Sequence, residues 1–170
     1  MMGVAAGQIV AAVLLPLLSR AVDPERFGTY TVLLAISVIL APAMSLRYEG
    51  AVVLAETRDS AWALALFTLE FASLAGIALI FLAKLFSTIA DDSAKPLAGL
   101  FVAIVVIALS SIYFATLTQV ASRERLYVGL GFSTFVQTGT TLLVQLILVQ
   151  RLGDLTALVI GYCAGSLLGA

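Results

Sequence analysis

The chain has 170 residues, of which 62% are hydrophobic and only 11% charged, with a formal net charge of -1 and a mean hydropathy of +1.13; soluble domains hold about 45–50% and about 25%. Too few polar side chains are present to coat a water-facing surface, and nine Lys and Arg scattered singly form no basic stripe, which excludes nucleic-acid binding. With no histidine and one cysteine, Cys163, in an apolar run, there is neither a zinc site nor a disulfide framework, and Cys163 reads as a small buried hydrophobe.

Charge-poor runs follow one another at about 2–19, 27–46 (or on to 55), 61–83, 97–119, 127–150 and 155–170. Most reach the roughly 20 residues that span about 30 Å of hydrocarbon. The expected fold is therefore all-α, a polytopic transmembrane bundle of about six helices forming one domain. The first run lacks a positive leading region, and Leu18-Ser19-Arg20-Ala21-Val22 is a poor cleavage site, so it reads as a first span and not a signal peptide. Asp23-Pro24-Glu25 supplies an N-cap, a first-turn proline and an acidic residue for the positive helix end, placing the second helix start near Pro24. Asp59-Ser60, Lys95-Pro96 and Gly153-Asp154 mark the third, fourth and sixth starts. The short connections predict that sequential helices pack as antiparallel neighbours. Both ends look cut, and the chain reads as the N-terminal part of a longer transporter.

Arg20, Arg26, Lys84, Lys95 and Arg151 fall on one side of these spans, and Arg47, Arg58, Arg123 and Arg125 on the other, so the positive-inside tendency does not orient the chain. Tight charge clusters at 47–59 and 122–125 favour a cytoplasmic position for those turns and for the N-terminus. Charges in the turns, Asp23, Glu25, Arg26, Arg123, Glu124 and Arg125, are expected to face solvent or headgroups, with Arg123 and Arg125 placed to meet lipid phosphates.

Polar and small residues inside the spans narrow the question of function. Gly3, Gly7 and Ala11 in the first run, and Gly161, Gly165 and Gly169 in the last, form small-residue stripes suited to close helix packing or to a sliding surface. Pro42 removes a backbone donor within the second span and marks a kink or hinge. Apolar sequence continues beyond Arg47 and Glu49, which places an ionisable pair within or just below the membrane, where substrate contact and interface anchoring are the two readings. The two residues lie on different helix faces and need not pair. Arg47 has the planar fork that grips a phosphate bidentately. Glu70, the only charge inside the third run, is a candidate for ion coupling or for a structural hydrogen bond. Ser133, Gln137, Thr141 and Gln145 repeat every four residues as one polar stripe, serving interhelical hydrogen bonding or a hydrated cavity for a hydroxyl-rich substrate, with Gln8 and Gln119 as lesser contributors. No nucleophile–base arrangement, phosphate-cradling loop or metal cluster appears, so neither an enzyme nor a cofactor is expected.

Leu15-Pro16-Leu17-Leu18-Ser19-Arg20 with Asp23-Pro24-Glu25-Arg26-Phe27-Gly28-Thr29-Tyr30, and then Ser45-Leu46-Arg47-Tyr48-Glu49-Gly50-Ala51-Val52-Val53-Leu54-Ala55, resemble the bacterial polysaccharide-biosynthesis flippases. These carriers of O-antigen and exopolysaccharide precursors share a superfamily with multidrug antiporters and the peptidoglycan-precursor flippase. About a third of the chain carries the resemblance; beyond Ala61 only the hydropathy pattern continues. The resemblance implies about 12–14 helices in two lobes, of which this chain is the first half. It also implies transport of undecaprenyl-diphosphate-linked oligosaccharide from the cytoplasmic to the periplasmic leaflet of the inner membrane by alternating access. The implied partners are that lipid-linked oligosaccharide, membrane lipids, a C-terminal half or second copy, and polysaccharide polymerase and glycosyltransferases. Arg47, Glu49, Arg20, Gln137, Thr141 and Gln145 are the expected cavity residues, Arg20 and Arg47 being similar in position to arginines near the cavity of the peptidoglycan-precursor relative. A cation-coupled multidrug antiporter using Glu70 and a non-transporting scaffold for polysaccharide assembly are the competing readings.

Overall fold

A computed structural model describes residues 2–89, 95–152 and 154–170, and the side chains of these except 2–6, 152 and 154. Gly153 and any side-chain contribution of Asp154 to a cap lie outside the described residues, as do the surroundings of Gly3. The described residues form seven helices and no strand: α1 (Met2–Ala21), α2 (Pro24–Ser45), α3 (Tyr48–Leu54), α4 (Arg58–Ile89), α5 (Lys95–Arg123), α6 (Tyr127–Leu152) and α7 (Asp154–Gly169). Four of them, α2, α4, α5 and α6, are long and apolar enough to cross a membrane; the apolar parts of α1 and α7, 7–21 and 155–169, are shorter. The fold is an all-α bundle of a multi-pass membrane protein.

Local chemistry accounts for the helix boundaries. Asp23 caps α2, its Oδ1 accepting from the Glu25 amide at 3.1 Å, with Pro24 in the first turn where its missing N–H has no intrahelical bond to make. The start of α4 lies slightly earlier than Asp59-Ser60 suggests. Thr57 Oγ1 accepts from the Ser60 amide at 3.2 Å while Ser60 Oγ accepts from the Thr57 amide at 3.1 Å, a reciprocal cap that starts the helix at Arg58.

The second apolar run does not continue as one helix to residue 55. α2 passes through Pro42 and ends at Ser45; Leu46 and Arg47 then take left-handed backbone angles, φ 50° and 57°, before α3 begins. Ser45 Oγ accepts from the Arg47 amide at 3.3 Å and so occupies a donor that a continuing helix would direct to its own carbonyls. α3 then lies against α4 and α5, with Val52 packed among Ala61, Ala65 and Val120.

The expectation that sequence neighbours pack together holds for α4 with α5 and for α6 with α7, but not for α1. α1 lies along α6, and parallel to it: Gly7 faces Thr134 to Thr138, and Leu18 and Val22 join Leu142 and Val149 in one core. Helix pairing follows surface fit, and the short turn at Val22-Asp23 leaves α1 free to take a better-fitting surface than α2. α2 runs parallel to α5, where Ser37 Oγ donates to Ile104 O at 3.0 Å and Ala41 and Met44 meet Val105, Ala108 and Ile112. Along the chain the helices alternate in direction, so Arg20, Arg26, Lys84, Lys95 and Arg151 gather at one end of the bundle. Arg47, Arg58, Arg123 and Arg125 gather at the other, where Arg58 Nε meets Glu124 Oε1 at 2.9 Å.

Candidate functional site

α6 and α7 are held together by two stripes that face each other. A Cβ added at Gly161 would stand 2.9 Å from the Gln145 amide nitrogen, and one at Gly165 2.6 Å from Gln137 O, closer than a side chain can approach backbone. Only glycine lets α7 come so near α6. Across this contact Gln145, 1% exposed, donates to Leu158 O at 2.8 Å and to the Tyr30 hydroxyl at 2.9 Å, satisfying both protons of its amide nitrogen. Ser133 Oγ donates to Gly169 O, and Gln137 Nε2 reaches Ser166 Oγ at 3.4 Å. Interhelical hydrogen bonding thus engages Ser133, Gln137 and Gln145, three of the four residues of the polar stripe.

Gln137 and Gln145, with Thr141, also line a cleft. Because α1 follows α6 and α2 follows α5, the two leave a wedge of about 340 Å³ between them, walled by Ala11, Leu15, Leu18, Phe27, Tyr30, Thr31 and Leu34. Gln137, Thr138, Thr141, Leu142 and Gln145 from α6, with Tyr162 from α7, form its floor. Leu15 and Thr31 at its edge are exposed, so the wedge opens sideways. Thr31 lies about 10 Å along α2 from Pro24, so the opening falls within the span and not at its end.

Among the described residues the cleft carries no charged side chain, but it has free hydrogen-bonding capacity. Tyr30 accepts from Gln145, and its own O–H proton has no acceptor among the described residues. Ser111 Oγ donates to Ile107 O at 2.9 Å, so in its 3.0 Å bond with Tyr162 it is the acceptor, and the Tyr162 oxygen keeps its lone pairs. A phenol that donates and a phenol that accepts, beside Thr141, suit a neutral hydroxylated group.

The structure does not bring the remaining candidates to this cleft. Arg20 is exposed at the end of α1, two residues beyond Leu18 on the cleft wall. Arg47 is exposed at the α2–α3 elbow, at the opposite end of the bundle; the 22 residues of α2 set the two arginines about 33 Å apart, too far to share one phosphate group. Arg47 and Glu49 do not pair. Glu49 is half-buried on α3, its Oε2 without a hydrogen-bond partner among the described residues, as is the fully buried Thr116 Oγ1 on the neighbouring α5. Pro42 is half-buried in α2, four residues before the elbow, and Glu70 is exposed on α4, away from the cleft. Gln8 and Gln119 do not line it either.

Three contributors were not legible as site or support residues. Tyr30 and Tyr162 carried a signal, each being a phenol inside an apolar run whose hydroxyl needs a partner. Arg123 did not: it donates to Val53 O at 3.3 Å and to Ala55 O, capping the end of α3.

The fold and cleft together define a multi-pass helical membrane bundle with a neutral, polar-floored, laterally open wedge. Comparison with protein-family models, with curated proteins and with solved structures finds no match for this chain.

Proposed function

We propose that the chain forms part of a transporter that moves a lipid-linked oligosaccharide, of the undecaprenyl-diphosphate class, from the cytoplasmic to the periplasmic leaflet of a bacterial inner membrane. The observation that carries this reading is the wedge between α1 and α2. It opens within the span, so a lipid tail can stay in the bilayer while sugar hydroxyls meet Tyr30, Thr141 and Tyr162. Its lining is neutral, as befits sugar, and the diphosphate has Arg47 at one face of the membrane and Arg20 at the other. With the N-terminus in the cytoplasm, Arg47 stands on the side of capture and Arg20 on the side of release. A C-terminal half or a second copy would close the wedge, and polymerase and glycosyltransferases would consume and supply the cargo.

Neither competing reading gains a comparable observation. A cation-coupled antiporter would place its carboxylate in the cavity, and Glu70 is not there. A scaffold working through small-residue faces would need those faces outside, and Gly7, Gly161, Gly165 and Gly169 are all packed against α6.

The test is deletion of the gene in its source cell, with lipid-linked oligosaccharide measured in the inner membrane and polysaccharide at the surface. Internal accumulation with surface loss, restored by the wild type but not by Arg47→Ala at equal membrane abundance, is the expected result. Unchanged surface polysaccharide would overturn the proposal.

A further inference from the structure

Glu70 occupies the depth at which an ionisable group is hardest to keep. On α4 it lies about 18 Å from Arg58 and about 21 Å from Lys84, near the middle of the span, and it is exposed. Leu66 and Leu74, one turn to either side, are 56% and 68% exposed and share its face. With Ser73 of α4 and Tyr113 of α5 they border a groove of about 480 Å³.

The hydroxyls of that groove have no proton left for the carboxylate. Ser73 Oγ donates to Leu69 O at 2.6 Å, so it accepts in its 2.8 Å bond with Tyr113, whose proton is thereby used as well. Glu70 has no hydrogen-bond or ion-pair partner among the described residues. Acyl chains can fill the groove but donate nothing. A second copy brings no cation either, because every Lys and Arg of this chain stands in a turn or near a helix end.

We infer that this face of α4 is the docking site for a separate transmembrane helix carrying one basic side chain at mid-membrane depth, its cation pairing with Glu70 and its ridge seated along Leu66, Glu70 and Leu74. The inference rests on the membrane fold alone and stands or falls independently of what is transported. The row of residues four apart is the ridge that helices commonly interdigitate, and a guanidinium or ammonium supplies the donors that the groove lacks.

Trp62, the single tryptophan, lies two turns from Glu70 on the same helix and serves as an energy-transfer donor. The purified chain in phosphatidylcholine vesicles is titrated with a dansyl-labelled synthetic helix of about 20 apolar residues with one central Arg, and with the same helix carrying Leu instead. Wild type is expected to bind the Arg helix roughly tenfold more tightly than the Leu helix, the scale of one interhelical polar pair. The preference should vanish in Glu70→Gln, a change of shape-conserving chemistry at an exposed position, and persist in Lys84→Gln. Equal binding of the two helices by wild type, or a preference that survives Glu70→Gln, would overturn the inference. So would Glu70-dependent self-association of the chain, read by transfer between separately labelled copies, if it exceeded binding of the Arg helix.

Discussion

Replacement of Gly165 by alanine tests the α6–α7 contact on which the floor of the cleft depends. The added Cβ would stand 2.6 Å from Gln137 O and 2.8 Å from the Thr141 amide nitrogen, both backbone atoms of α6 that cannot rotate aside. Reaching ordinary contact requires α7 to move away by about 0.8 Å, which stretches the 2.8 Å bond from Gln145 to Leu158 O and the weaker one from Gln137 to Ser166. Overpacking of this kind costs about 1–3 kcal/mol, and the higher helix propensity of alanine returns up to about 1 kcal/mol. The net expectation is destabilisation of about 1–2 kcal/mol. Gly139 on α6 is the control, since a Cβ there meets nothing within 4 Å, and Gly139→Ala should be neutral or stabilising by up to about 1 kcal/mol. Equilibrium unfolding in mixed dodecyl maltoside–dodecyl sulfate micelles, followed by circular dichroism, measures both. If Gly165→Ala proves as stable as Gly139→Ala, the two helices do not lie at this separation and the argument fails.

Gln145→Leu removes both cross-helix bonds and leaves Leu158 O and Tyr30 with fewer partners, so the same assay should show a loss of about 1–2 kcal/mol. Leu46→Gly removes a side chain that is 56% exposed and relieves a left-handed backbone at φ 50°, with an expected gain of about 1 kcal/mol in the same unfolding measurement. Arg123→Ala frees the carbonyls of Val53 and Ala55; hydrogen exchange across α3 should accelerate about tenfold while α6 is unaffected, and equal protection of α3 in both proteins would contradict the capping role.

Much of the architecture is written in the sequence because a membrane leaves few options. An apolar run of some 20 residues in lipid must satisfy its own backbone, so helices at the expected positions follow from composition, and Asp23-Pro24 fixes a boundary because its chemistry is local. The opposition of Arg20 and Arg47 at the two ends of the bundle likewise follows from counting spans. The elbow at Leu46-Arg47 does not, since an apolar run carries no mark that Ser45 will take an amide from the helix ladder.

Periodicity names the residues that share a helix face, but not what the face meets. The polar stripe of α6 and the glycine stripe of α7 were both visible along the chain; that each is the other's counterpart, and that Gln137, Thr141 and Gln145 also floor a cleft, depends on how the helices are brought together. Sequence gives the depth of Glu70 but not its direction, and direction decides whether it lines a cavity or points outward. The wedge itself exists because α1 packs on α6 and not on α2, a choice made by complementary surfaces far apart in the chain and invisible to any local rule.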